Sequence, residues 1–147
     1  MSNQPWKAEP NRVEWVEPTT GLPCLLLRAD AGTWCGYVGV TSRCPWWRVD
    51  YLDFASEPLV HGGVTFTGRL RQPITEPAVL HQMLELGLIP DELWWVGFDC
   101  NHLEDLRPNG TFQKQWEAGK VYRDLSYVTA EVVNLALQAS EASRRAR

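Results

Sequence analysis

The stretch Leu93-Trp94-Trp95-Val96-Gly97-Phe98 contains no charged residue and is apolar at both odd and even positions. A strand that is apolar on both faces is typical of the centre of a sheet, so this stretch predicts a central strand. Further stretches rich in strand-forming residues predict its neighbours at positions 13–16, 22–28, 33–40 and 64–68. The link at positions 29–32 suits a hairpin between two of them.

Two stretches predict helices. Apolar residues recur at three- and four-residue steps across residues 121–139, which marks one face of a long helix that should lie across the sheet: Val121, Leu125, Val128, Val132 and Leu135. A shorter helix is predicted over residues 76–86, with Thr75 as its cap and Gly87 as its stop.

The chain has neither an internal repeat nor a linker that would divide it. We therefore expect a single α+β domain over residues 12–140, in which a mainly antiparallel sheet packs against the long C-terminal helix and the shorter helix. Residues 1–11 are polar and carry prolines, which predicts a flexible N-terminus, and residues 141–147 are predicted to be a flexible basic tail.

Composition narrows the classes of function. The 147 residues carry a formal net charge of −4, and the basic residues form no stripe, which argues against a binder of duplex nucleic acid. No stretch approaches the roughly 20 apolar residues that span a bilayer, and the first residues lack a signal-peptide pattern. We therefore expect a cytoplasmic protein without a membrane partner.

Tryptophan and cysteine are used in different ways. The eight tryptophans cannot all be buried in so small a domain, so we expect some, including Trp95, to line a cavity and stack on a base or a sugar. The four cysteines show no C-x-x-C pair, which indicates reduced thiols rather than a zinc site.

The segment His61-Gly62-Gly63 places a titratable side chain beside two residues without a Cβ. Such glycines allow a ligand to approach closely and leave amide N–H groups for an anion, so Gly62, Gly63 and the nearby Thr65 are candidate ligand-binding residues. The alternative is a tight turn before a strand, with His61 simply exposed.

A denser group of reactive side chains, Asp99-Cys100-Asn101-His102, follows the predicted central strand, with Glu104 and Asp105 close behind. Asp99 could orient an imidazole by accepting its N–H, and Asn101 is a candidate ligand-binding residue. The alternative is that Asp99 caps a turn while Glu104 and Asp105 face solvent.

Tyr122-Arg123-Asp124 opens the predicted long helix. The guanidinium fork of Arg123 matches a phosphate, so Arg123 and Tyr122 are candidate ligand-binding residues. Arg123 could equally form an ion pair with Asp99 or Asp105.

Three mechanisms can be built from these residues. In the first, His61 and His102 act as general base and general acid on a phosphodiester, a ribose hydroxyl attacks its own phosphate, and Asp99 orients one imidazole. In the second, His61, Asp99 and His102 hold a divalent metal that activates water, although we expect no cofactor. In the third, which is the weakest, Cys100 is a nucleophile.

Three segments together resemble a widespread family of small phage and prophage proteins: HGGVTF at 61–66, WWVGFDCNH at 94–102 and YRDLSYV at 122–128. The match covers roughly residues 58–135. The resemblance implies a phage protein in the infected bacterial host cell. By analogy of setting, it suggests an anti-defence protein that acts on a cyclic nucleotide immune signal. The first hypothesis is that the protein cleaves a phosphodiester bond of this signal.

Two alternatives remain open. The protein could be a sponge that sequesters a cyclic nucleotide or an ADP-ribose-type signal without cleaving it. Such a sponge could be a homo-oligomer. It could instead be a structural or partner-binding phage protein.

Overall fold

The computed structural model describes residues 4–54 and 58–146. Within them, five strands form one sheet in the order β1-β2-β3-β5-β4, and each neighbouring pair is antiparallel. The strands are β1 (Arg12–Val16), β2 (Pro23–Arg28), β3 (Trp34–Val40), β4 (Phe66–Gly68) and β5 (Trp94–Asp99). The helices are α1 (Pro77–Glu85), α2 (Phe112–Glu117) and α3 (Leu125–Arg145). The predicted α+β domain, with a long last helix on an antiparallel sheet, is confirmed.

β5 lies between β3 and β4, as its apolar sequence predicts. Its side chains alternate between two buried clusters, because successive residues of a strand point to opposite faces. Val96 and Phe98 pack with the buried face of α3, whereas Trp95 packs with Val79 and Met83 of α1. Each face of β5 is therefore covered by a helix.

The helix α3 begins later than its apolar pattern predicts. The carboxylate of Asp124 accepts the N–H of Tyr127 at 2.8 Å, so Asp124 caps the helix and Leu125 is its first residue. Val121, which was expected on the buried face, instead forms a bridge to Asp105 and is exposed.

The end of α3 also differs from the prediction. The helix continues to Arg145, where Ala142 is still buried and Arg144 pairs with Glu141. The flexible tail expected over 141–147 is therefore wrong for its helical part, and Arg147 lies outside the described residues.

Residues 4–11 are packed against the domain rather than free. The ring of Trp6 meets Tyr122 edge-on, and the carboxylate of Glu9 accepts hydrogen bonds from the Trp34 indole at 3.2 Å and the Leu125 amide at 2.7 Å. Glu9 thus satisfies an amide at the start of α3. The expected flexible N-terminus is corrected for this segment, and residues 1–3 lie outside the described residues.

A buried glutamate on β1 positions α1. Glu14 accepts hydrogen bonds from the amides of Thr75 and Glu76, from the Thr75 hydroxyl and from Arg12. Thr75 is therefore not the cap that the sequence predicts, and Glu76 occupies the cap position. Burial alone would raise the pKa of Glu14, but these hydrogen bonds outweigh it and lower the pKa to about 2.

No helix in the described parts of the chain combines the length and apolar character that crossing a bilayer requires.

We expect Glu14→Gln to lower the free energy of unfolding by about 3 kcal/mol at neutral pH, because it removes the preferred ionised acceptor. The folded-state pKa lies below the ordinary value of 4.5, so the carboxylate stabilises the fold above that pH and this stabilisation is lost as the pH falls toward 2. The two proteins should therefore converge in acid when urea unfolding is followed against pH. Glu104→Gln is the exposed control, and a pH-independent cost of Glu14→Gln would contradict the assignment.

Candidate functional site

Asp105 lies at the centre of a polar cluster on the loop that follows β5. Its side chain is 1% exposed and accepts hydrogen bonds from His61 Nε2 at 2.9 Å, Arg123 Nε at 2.8 Å and the His102 amide at 3.0 Å. Burial favours a raised pKa, but these donors outweigh it and the pKa of Asp105 lies below its usual value. Asp105 is therefore an ionised carboxylate inside the protein, and not the solvent-facing residue of the alternative reading.

His61 has both ring nitrogens engaged. Nε2 faces Asp105, and Nδ1 lies 2.7 Å from the hydroxyl of Tyr127. Because an ionised carboxylate only accepts, Nε2 carries a proton, and in the neutral ring Nδ1 accepts from the Tyr127 O–H. The backbone amide of His61 donates to Glu131 on α3, which holds this loop against the helix.

These bonds form a continuous chain, Asp105–His61–Tyr127, from a buried carboxylate to a partly exposed phenol. The side chain of His61 is 11% exposed, whereas Tyr127 is 36% exposed. When His61 is protonated, both ring nitrogens donate, and the Tyr127 O–H becomes free to point toward solvent. The chain can thus relay a proton between the interior and the surface.

A second carboxylate–imidazole pair lies beside the first. His102 Nε2 is 3.1 Å from Asp99, and the ring centroids of His102 and His61 are 5.7 Å apart. Thr65 and the Asn101 amide each donate to the Asp99 carboxylate, which fixes it behind the imidazole. The three residues proposed as catalytic from the sequence are therefore neighbours in the fold.

The two nitrogens of His102 differ in their surroundings. Nε2 is shielded from solvent, and although it lies at ion-pair distance from Asp99, it is not aligned for a hydrogen bond. Nδ1 has no hydrogen-bond partner among the described residues, and it is not among the buried orphan atoms. Nδ1 is thus the nitrogen through which His102 can exchange a proton with a ligand.

The two glycines of the HGG segment form a tight turn, and one of them packs against the ring of His102. Gly62 has φ +68°, and a Cβ placed on it would lie 2.0 Å from His102 Nε2, so its backbone supports the imidazole ring. The Gly63 amide donates to the Val60 carbonyl at 2.8 Å and closes a tight turn. The Gly63 amide is therefore unavailable to an anion, and the expected anion-binding loop is corrected on that point.

Arg123 belongs to the cluster, and two other predicted residues do not. Its Nε pairs with Asp105, and its guanidinium lies 5.2 Å from the Tyr127 ring centroid. The Tyr122 hydroxyl is instead bonded to Glu9 and Arg28. Trp95 is 1% exposed in the core beneath α1, so it cannot stack on a ligand at the site.

Two of the predicted mechanisms find no geometric support. Cys100 is 1% exposed, and burial together with the nearby negative charge of Asp105 raises the pKa of its thiol, so the thiolate nucleophile is disfavoured. No group of three His, Cys, Asp or Glu side chains in the described parts of the chain is arranged to hold a metal ion. Both ring nitrogens of His61 are already bonded to Asp105 and Tyr127.

Sequence reasoning missed the roles of Tyr127 and Glu131. Residues four apart on a helix share a face, so this pair could have been recognised as a polar patch beside Arg123. The apolar pattern of α3 predicts only its buried face, and Tyr127 and Glu131 lie outside that face.

Comparisons with protein-family models, with curated proteins and with solved structures returned no match. The resemblance to phage proteins therefore stays a prediction, and the inference about function depends on the geometry of the site.

Replacing the two glycines separately tests how the HGG turn supports His102. Both have positive φ, so alanine should cost about 1–2 kcal/mol of stability at either position. Gly62→Ala should cost at least about 1 kcal/mol more, because its Cβ overlaps the His102 ring, whereas a Cβ at Gly63 meets nothing within 4 Å. Urea unfolding and the NMR signals of the His102 ring measure both effects. Equal costs with unmoved His102 signals would contradict this packing.

Proposed function

We propose that the protein is an enzyme that cleaves a nucleotide-derived phosphodiester by acid–base chemistry, with a ribose hydroxyl as the attacking group. The observation that carries this proposal is the pair of carboxylate-backed imidazoles, His61–Asp105 and His102–Asp99, with ring centroids 5.7 Å apart. Two imidazoles at this spacing can serve the attacking and the leaving oxygen of one phosphate. The phage resemblance adds the setting: an anti-defence enzyme acting on a cyclic nucleotide signal in the infected cell.

His102 is suited to the role of general base. Its Nδ1 has no hydrogen-bond partner within residues 4–54 and 58–146, and Asp99 lies behind Nε2, where it stabilises the imidazolium that forms when Nδ1 takes a proton. A ribose hydroxyl that loses its proton to Nδ1 forms the new bond to phosphorus.

Tyr127 is suited to deliver the proton to the leaving oxygen. Burial and the charge of Glu131 raise the pKa of Tyr127, which keeps the phenol protonated and disfavours a phenolate nucleophile. As the bond from phosphorus to the leaving oxygen breaks, the Tyr127 proton passes to that oxygen. The phenol is reprotonated from His61 Nδ1, and Asp105 stabilises the His61 imidazolium before the transfer.

Arg123 supplies the positive charge that an anionic substrate requires. Its hydrogen bond to Asp105 raises the pKa of the guanidinium, which stays charged beside the Tyr127 ring. Only its Nε is bonded to Asp105, so the terminal nitrogens are the part of the fork that would face a phosphate oxygen.

A structural role is the second candidate, and one observation favours it. The Asp105 carboxylate accepts from three segments of the chain, the loops that carry His61 and His102 and the segment that carries Arg123. These bonds would hold the loops in place even in a protein without catalysis.

Cleavage can be tested with a panel of cyclic dinucleotides and cyclic ADP-ribose isomers, incubated with and without EDTA and followed by chromatography before and after heat denaturation. We expect new product peaks whose rate falls roughly 10²-fold or more in His102→Gln and in Tyr127→Phe, the size of a lost general base or acid. Tyr51→Phe, at an exposed tyrosine outside the cluster, is the matched control and should leave the rate unchanged.

The other outcomes separate the alternatives. A ligand that disappears from solution and returns intact on heating establishes a sponge and contradicts the catalytic roles. An unchanged panel, combined with loss of stability in Asp105→Asn, favours the structural role.

A further inference from the structure

A cleft of about 860 Å³ opens at the other end of the molecule from the His61 cluster. It is lined by Leu93, just before β5, and by Ser140 and Ser143 near the end of α3, whereas the His61 cluster follows the end of β5 and faces the start of α3. The six residues of β5 span about 20 Å, and the thirteen steps from Tyr127 to Ser140 also span about 20 Å. The cleft and the histidine cluster are therefore separate places on the surface.

Three arginines from two segments of the chain line this cleft. Arg43 and Arg48 lie on the segment after β3, and Arg69 lies just after β4. Among the described residues, none of the three is paired with a carboxylate. Glu92 is the only acidic residue that the described lining contains.

The guanidiniums of Arg48 and Arg69 have neutral partners among the described residues, so neither forms an ion pair. Arg69 donates to the carbonyl oxygens of Asp91 and Leu93, at 2.6 and 3.4 Å. The guanidinium of Arg48 lies 4.7 Å from the ring centroid of Trp47. In a chain of net charge −4, three arginines against one acidic residue, Glu92, in the described lining give this cleft a local positive potential.

The backbone places Arg48 at some conformational cost. Its φ is +65°, in the left-handed region that disfavours residues with a Cβ. Two features hold the segment: the Trp47 indole donates to the Glu92 carbonyl at 3.0 Å, and the Val49 amide donates to the Trp46 carbonyl at 3.1 Å. A strained residue that its surroundings hold in place is a feature of binding sites.

We infer that this cleft binds a small phosphorylated ligand that carries at least two negative charges. Guanidinium forks match phosphate oxygens in pairs, and two residues with hydroxyl groups, Thr41 and Ser42, line the same cleft. The site is distinct from the proposed catalytic cluster, and it requires none of the residues of that cluster.

Isothermal titration calorimetry with inorganic pyrophosphate, ATP and adenosine tests this inference, at low and at physiological salt. Pyrophosphate and ATP should bind, more weakly at the higher salt, and adenosine should not bind. Arg43→Gln, Arg48→Gln and Arg69→Gln should each weaken binding at least about tenfold, the effect of one charged hydrogen bond.

The controls make the result specific to the cleft. Arg71→Gln, at an exposed arginine outside the cleft, should bind both anions like the unaltered protein. The Arg43 side chain makes no hydrogen bond, ion pair or ring contact among the described residues, so Arg43→Gln should keep its melting temperature and separate binding from folding. Absence of anion binding, equal binding of adenosine and ATP, or unchanged binding in Arg43→Gln would each overturn the inference.

Discussion

The carboxylate of Asp105 ties distant parts of the chain together. It is buried, and it receives hydrogen bonds from His61, from Arg123 and from the His102 amide. A buried carboxylate that loses one such partner typically costs about 3–5 kcal/mol, so the three segments are held in one arrangement. Because Asp105 is ionised, it also fixes the proton on His61 Nε2 and turns Nδ1 toward Tyr127. One buried charge therefore holds the loops at this end of the molecule together and sets the tautomer of His61.

The parts of the fold that the sequence predicts are those in which burial leaves a local pattern. The apolar run of β5 and the periodic face of α3 each satisfy this condition. The start of α3 is different, because Val121 continues the apolar period while Asp124 caps the helix. The N-terminal segment is different again: the partners of Glu9 lie 25 and 116 residues away, at Trp34 and Leu125, and no local pattern encodes them.

The same distinction applies to the site. His61, Asp99 and His102 could be singled out because reactive residues cluster next to a predicted strand, and they do lie together. Trp95, one of the two misplaced residues, lies on the same face of β5 as Asp99 but under α1, and no pattern in the sequence says which part of the sheet α1 covers. The burial of Asp105 could not be predicted from the sequence either, because it depends on a contact with Arg123, which lies beyond α2 in the chain.

The two ends of the sheet differ in the charge that surrounds a bound ligand. Three carboxylates lie around His61, those of Asp99, Asp105 and Glu131, and among the described residues Arg123 is the only arginine or lysine in an ion pair with one of them. In the proposed mechanism, a protonated His61 adds a second positive charge for an anionic substrate, while His102 stays neutral to accept a proton. Binding is then coupled to the proton transfers. The cleft needs no such protonation, because its three arginines are permanently charged. The anion binding inferred for the cleft and the chemistry proposed at His61 therefore rest on separate groups, and either one can be removed by mutation while the other is retained.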